Sequence, residues 1–433
     1  MPRPALIEPL RRPAFRRLAI SYAVNELGDW MGIVALSVLV FDRTGSALAT
    51  TVLFLATGFL PAILAPVLVV RAEQPPPRLV LPTLYAGEAA AFAALALLAA
   101  DFSLIAVSAL AAIDGALALT GRSLTRSVTV AMLSSADELR SGNAILNVAF
   151  TGGAAVGPAL AGVVVAGFGV QSALLLDAAS FYAIAWILLT TGRLPQATPD
   201  PGRMRERLRA GFAYIRRQAR LRRLLLAEGL AFVFFAAVLP IEVVYAKETL
   251  GVGDTGYGLL LAGWGAGMVL GSLVFATIRR APLPSQLFFS TLTVGVGYLG
   301  MAVAPSLAVA CVAAAVGGTG NGVQWVAAVS AVQELTAANM QARVTSVLES
   351  TGAAMPGVGF LLGGAIASLL SPRATFFVAA GGIFAIVAVF ALLLGRNWGA
   401  DGARVGPGAV DAADKVMVEL IPAEVLSSPD RRP

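Results

Sequence analysis

Glu26 and Asp29 stand three residues apart in the apolar stretch that begins at Leu18, and on a helix that spacing puts both carboxylates on one face. A carboxylate in hydrocarbon is costly unless a cation or a proton meets it, so this pair can hold a basic side chain or exchange a proton. Asp114 sits midway along another apolar stretch, followed by Arg122 and Arg126 one helical turn apart. Either arginine can pair with Glu26 or Asp29, or extend to a phosphate at the membrane surface, the fate expected for Arg126. Glu88, Glu228, Glu242 and Glu349 are further ionisable groups in apolar surroundings. Glu228 and Glu242 are fourteen residues apart, roughly 21 Å along one helix, too far to share a site.

Neutral polar groups follow the same spacing. Asn143 and Asn147 fall on one helix face, as do Asn321 and Gln324; such amides bond either a bound solute or a neighbouring helix. Trp30, Trp264 and Trp325 lie within apolar stretches rather than at their ends, where they can line a cavity. There is no histidine, and Cys311 is the single cysteine. That excludes a disulfide within the chain and any His or Cys metal site. No serine has a histidine base and no GxxxxGK[ST] loop occurs, so neither hydrolytic catalysis nor ATP-driven work is expected. The expectation is a protein without cofactor or metal, energised by an ion gradient or by downhill flow.

The elements that must carry these groups follow from composition. Hydrophobic residues make up 58% of 433 and charged ones 13%, too apolar a chain to hide in one water-soluble core. Lipid must cover the remainder. Twelve spans are expected: 18–40, 47–70, 80–100, 102–121, 144–166 and 172–191, then 224–244, 255–278, 286–303, 307–332, 344–370 and 375–395. Each is near the roughly 20 residues needed to cross the hydrocarbon. Of the 31 lysines and arginines, only Arg43, Lys247 and Arg373 fall outside if both termini are cytoplasmic, so the positive-inside rule supports that count and orientation. A multi-pass protein of the inner (plasma) membrane is expected. The net charge of +6 then serves the anionic leaflet, and a nucleic-acid role is not expected.

Residues 1–17 read as a cytoplasmic N-terminus, 18–191 and 224–395 as two six-helix bundles, and 396–433 as a largely disordered cytoplasmic tail. Between the bundles, 192–223 carries ten arginines. Its part from Met204 to Arg223 has Leu208, Phe212 and Ile215 at helical spacing among arginines, which predicts an amphipathic helix on anionic lipid; a solvated basic helix is the alternative.

Small residues punctuate matching places. Gly157, Pro158 and Gly162 fall in span five, Pro356 and Gly357 in span eleven, and Gly258, Gly263, Gly265, Gly267 and Gly271 in span eight. Glycine lets membrane helices approach closely, and the two prolines predict bends. The recurrence implies a duplicated six-helix unit whose halves rock.

Several stretches then carry a resemblance: FRRLAISYAVNELGDW (15–30), FDRTGSALA (41–49), GPALAG (157–162), DAASFYAI (177–184), LRAGFAYIRR (208–217) and RVTSVLESTGAAMPGVGFLLGG (343–364). The chain resembles the major facilitator superfamily, in the branch of bacterial macrolide and siderophore exporters, from Phe15 to Gly395. The resemblance implies an all-α fold of two pseudo-symmetric six-helix bundles. It places Asp29 at the family's acidic position in span one, likens Arg122 to the basic residue of span four in proton-linked exporters, and gives GPALAG the role of shaping the fifth helix. One loop departs: VLVVRAEQPPPRLVL (67–81) lacks the family's glycine and Asp-Arg pair, which form a latch between spans two and three, and carries Pro75, Pro76 and Pro77 instead.

The function so implied is proton-coupled export of amphipathic organic compounds by a monomer. Glu26, Asp29, Asp114 and Arg122 are the expected proton-coupling groups. Trp30, Asn147, Asn321, Gln324, Trp325 and Glu349 are the expected lining of the substrate cavity. Import or facilitated flow of a small metabolite, and a transport-inactive receptor or scaffold, are the alternatives.

Overall fold

The computed structural model describes residues 7–133, 135–192, 194–196, 204–278, 281–337 and 340–393, except for some side chains. The expected tail 396–433 lies outside the described residues, as do 1–6 and 197–203 of the connector.

Fourteen α-helices run through the described residues. The first half holds α1 (Pro13–Thr44), α2 (Ala47–Phe54), α3 (Leu60–Ala72), α4 (Pro77–Leu98), α5 (Leu104–Met132) and α6 (Ala136–Leu189). The connector helix is α7 (Met204–Arg217). The second half holds α8 (Ala219–Val238), the short α9 (Glu242–Val244), α10 (Asp254–Ile278), α11 (Leu283–Val303), α12 (Leu307–Glu334), α13 (Gln341–Leu369) and α14 (Pro372–Leu393). A wide helical turn at Leu55–Phe59 joins α2 to α3 as one span. Eleven helical stretches are long and apolar enough to cross a membrane, and the one at Asp137–Leu189 is double that length. Gly169, with φ +81° and ψ 164°, breaks it into spans five and six. A side chain there would be strained, so glycine permits the two helices to meet without a loop. Twelve spans result, as the sequence predicts.

Helix starts are marked chemically. Ser46, Ser103 and Ser135 each accept a backbone N–H of the first turn, from Ala49, Ala106 and Glu138, satisfying donors that the helix cannot. Span one ends at Gly45, whose φ of +59° closes the helix with a bond from its N–H to the Phe41 carbonyl. The chain thus alternates between a terminal face, where α1 begins and α14 ends, and a distal face at Gly45, Gly169 and Leu370. Large apolar side chains such as Ile105, Phe168, Leu189, Leu226 and Val312 are exposed around the bundle, the surface that hydrocarbon covers.

Two boundaries differ from the sequence reading. Span one starts as helix at Pro13, because Arg12 is fixed by Glu138 and by the Met132 carbonyl at 2.7 Å. The connector helix stops at Arg217, not Arg223: Gln218 is extended, and Arg220, Arg222 and Arg223 belong to the first turns of α8. The helix α7 also buries Ile215 in the second half's core, and Gly211 leaves no room for a Cβ against the Arg343 carbonyl and Val347. Phe212, Arg209, Arg216 and Arg217 stay exposed. One apolar edge therefore docks on protein and another is free.

Spans five and eleven, counterparts in the two halves on the sequence reading, each pack on a span of the other half. Span five lies on α10, where a Cβ at Gly162 would be 2.8 Å from the Asp254 carbonyl and 3.1 Å from Gly258 Cα. A Cβ at Gly258 would overlap the Pro158 carbonyl, and one at Gly265 would meet Ala154. Span eleven lies on span two, with Gly357 on Phe59, Gly364 on Thr51, and Phe360 edge-on to Phe54 at 5.6 Å. Helical dihedrals continue through Pro158 and Pro356; the break in α6 is at Gly169.

Candidate functional site

Span one delivers Glu26 and Asp29 to one side, and Arg122 of α5 reaches both. Its Nη2 is 2.5 Å from Asp29 Oδ2 and its Nε 3.1 Å from Glu26 Oε1. Asn25 donates to the same Asp29 oxygen at 2.9 Å. The planar guanidinium spans two carboxylates one helical turn apart, which a point charge on lysine does less well. Glu26 is fully buried, whereas the Arg122 side chain is 30% exposed, so the pair is sealed on one side and reachable on the other. The Glu26 contact is an ion pair without an aligned hydrogen bond. Span five covers the site: a Cβ at Gly153 would be 3.0 Å from the Glu26 backbone, and one at Gly157 would be 2.7 Å from Trp30 Cβ.

Around this centre stand three more buried carboxyls, Glu88 of α4, Asp114 of α5 and Asp177 of α6. Each lies within electrostatic reach of Asp29. Asp177 was noted in the sequence only inside a matching stretch, yet it is held against span one: its Oδ2 would be 3.0 Å from a Cβ at Gly32. Ser180 donates to its other oxygen at 3.3 Å. The reasoning that picked Asp114, an acid inside an apolar run, would equally have picked Asp177. Both Glu88 oxygens, Asp114 Oδ1 and Asp177 Oδ2 are buried without a hydrogen-bond partner among the described residues. No group of three His, Cys, Asp or Glu among those residues converges on a metal position.

The second half is built differently. Glu228 of α8 accepts from Gln324 of α12 at 3.1 Å, beside a pocket lined by residues of α8, α11, α12 and α14. Trp325, next in the chain, turns away from it, is half exposed, and stands edge-on to Phe232 at 6.1 Å. Asn321 is half-buried and Asn147 exposed. Trp264 is a core residue, stacked on Tyr298 at 5.1 Å. Glu242 lies at the distal interruption between α8 and α10, far from Glu228. The side chain of Glu349 lies outside the described residues. The predicted lining residues therefore do not meet at one point.

The halves join at the distal face. Lys247 bridges Asp42 of span one at 2.5 Å and Asp254 of α10 at 2.7 Å. Ile241, Val243, Val244 and Tyr257 of the second half enter the apolar core of the first. At the terminal face, the loop that lacks the expected latch is tied to α5 of its own half and to the start of the connector. Ser127 donates to Glu73 at 3.2 Å, and Gln196 donates to the Glu73 and Gln74 carbonyls at 2.7 and 3.2 Å.

Comparison with solved structures gives the same architecture. The nucleoside transporter NupG superposes with a TM-score of 0.66 at 13% identity, over 88% of this chain and 98% of that one. A POT family transporter in complex with 5-aminolevulinic acid gives 0.69 at 13% identity, over 88% and 96%. A bacterial homologue of the iron transporter ferroportin, in an inward-facing state, gives 0.66 at 15% identity, over 87% and 98%. At such identities the likeness shows the fold, that of the major facilitator superfamily. No curated protein matches the chain. The profile of one family, described as transmembrane secretion effector, matches residues 5–405. With nearly the whole chain matched, and twelve spans in two bundles behind it, the protein belongs to the transmembrane secretion effector family of major facilitator transporters.

Proposed function

We propose that this transporter is a proton-coupled exporter of amphipathic organic compounds. The observation that carries the reading is Arg122 held between Glu26 and Asp29 on the face of span one. One guanidinium balances one carboxylate, so the second negative charge is available to a proton taken from the better-supplied side. Glu26 is sealed and Asp29 partly open, which makes Asp29 the exchanging group and Glu26 the fixed anchor of Arg122. Asp114 receives the proton deeper in the bundle. Substrate meets Trp30 from the first half and Asn321 and Gln324 from the second. Distal closure through spans five and eight and spans two and eleven supports a cleft opening toward the terminal face. The family's description as secretion effectors supports export.

The same reading puts the protein in the inner membrane as a monomer with both termini cytoplasmic. The free edge of α7, with Phe212 and its arginines, would rest on anionic lipid. Replacing Arg209, Arg216 and Arg217 by glutamine should weaken binding of anionic vesicles; unchanged binding removes that role.

The deciding experiment is reconstitution into liposomes with an imposed pH gradient and a panel of amphipathic compounds. Substrate-dependent proton flux is expected, and Asp29→Asn should abolish it while the protein still folds. Normal flux in that variant removes Asp29 from the mechanism. One observation favours a second reading, a transport-inactive receptor or scaffold: the loop between spans two and three is fastened to α5 through Ser127 and to the connector through Gln196. No flux across the panel would select it, and flux downhill without protons would select an importer or uniporter.

A further inference from the structure

The proposed coupling leaves unused a buried acid at the junction of the two halves, Glu242. It stands in α9, where the seventh span is interrupted by a tight turn at Leu239–Ile241 and a wide one at Tyr245–Thr249. The tight turn packs on α2, and α9 packs on span one. Its neighbours Ile241, Val243 and Val244 enter the first half's core, and Glu242 itself is 4% exposed. The phenols of Tyr257 on α10 and Tyr298 on α11 lie within its electrostatic reach, and Tyr257 stands beside Ser37 of span one.

Among the described residues no cation acts on Glu242. Lys247 of the wide turn is taken by Asp42 and Asp254. Arg43 of span one donates to the Ala99 carbonyl, and Arg373 of α14 to the Ala302 and Ala304 carbonyls. Arg122 is engaged by Glu26 and Asp29 of span one. In the wide turn, Tyr245 donates to the Met301 carbonyl and Glu248 faces outward. The tight turn and α2 bring no ionisable side chain.

We infer that Glu242 is a proton latch on the distal seam: protonated, it lets the two halves close, and ionised, it favours their separation. An ionised carboxyl shut among apolar side chains without a cation is costly, and the neutral acid is much less so. Opening the distal face parts α9 from span one and α2, admits water and removes that cost. The closed form therefore holds the proton more tightly, so closure is favoured in acid and lost as pH rises. The proton comes from the distal water, and the carboxyl O–H is the one bond formed. For its purpose the latch rests on the proposed export: the outside acidity that drives antiport also returns the empty carrier to its inward-facing form.

The seam can be read without flux. Asp101→Cys and Ser306→Cys place spin labels on exposed distal residues, one in each half, in a Cys311→Ala background. Double electron–electron resonance on the detergent-solubilised full chain, without substrate or gradient, reports the distance between them. The share of the longer distance should rise at least about threefold from about pH 5 to about pH 9, the range in which a buried glutamate releases its proton. A smaller rise overturns the inference. Glu242→Gln, which keeps the shape of the protonated acid, should lose more than half of the rise. A variant that keeps half or more also overturns it, because a glutamate with a merely structural role does not carry the pH dependence. Should the variant not fold, the rise in the chain that retains Glu242 decides. A flat pH profile leaves the role of Asp29 standing, and normal flux in Asp29→Asn leaves the latch standing.

Discussion

The two halves repeat one helical plan and fill it with opposite electrostatics. In each, the first helix of six brings a glutamate toward the fourth: Glu26 toward Arg122 in one, Glu228 toward Gln324 in the other. Arg122 lies 19 residues beyond the N-cap Ser103 and Gln324 lies 18 beyond the N-cap Ser306, so the partners occupy nearly equivalent places. The first half spends a permanent cation there and surrounds it with further carboxyls. The second uses a neutral amide beside an apolar pocket. Duplication thus fixes where a polar pair sits, whereas the residue on the fourth helix decides whether it closes as an ion pair or as a hydrogen bond to a neutral amide.

The largest effect should come from the cation. Arg122→Leu leaves Glu26 and Asp29 side by side without a cation, which costs about 3 kcal/mol, the lower end for a broken buried pair because Arg122 is partly open. Thermal unfolding in detergent should show that loss. Arg122→Lys should recover part of it, and equal stability of all three proteins would mean that the ion pair does not organise the first half. The matching change in the second half, Gln324→Leu, should cost less, on the order of 1–3 kcal/mol for one orphaned acceptor. If it cost as much as Arg122→Leu, the contrast between the halves would fail.

The seam between the halves is the next test. Gly258→Ala puts a Cβ into the Pro158 carbonyl, and backbone cannot yield as a side chain can. About 1–3 kcal/mol of overpacking should result, with greater labelling of a cysteine introduced at the distal end of span five. Unchanged labelling would show that closure there does not depend on the glycine contact. The smallest effect is expected for Lys247→Gln. Asp42 is half exposed and Asp254 partly so, and pairs open to solvent contribute up to about 1 kcal/mol each. Its removal should raise distal labelling slightly and leave unfolding nearly unaltered.

Much of the plan was legible along the chain. The spans could be read because hydrocarbon demands about 20 apolar residues whatever surrounds them, and the pairing of Arg122 with span one was one of two stated fates. Asp177 was overlooked as a buried acid although the same rule applies to it. The partners of spans five and eleven could not be read, because glycine placement reports close approach without saying to which helix. The apolar spacing of Leu208, Phe212 and Ile215 correctly gave a helix, but Ile215 serves the second bundle while Phe212 is free.

By itself, the sequence determined that this protein crosses a bilayer twelve times, that its acids lie on particular helices, and that it has no histidine and a single cysteine. Those properties are local: they depend on hydropathy, residue type and period, all carried by neighbours in the chain. The tertiary structure alone decided which helices touch, that Arg122 takes two carboxylates at once, and that Glu228 faces an amide and a pocket. Such facts depend on distances between residues scores of positions apart, set by packing two bundles together, and no local pattern encodes them.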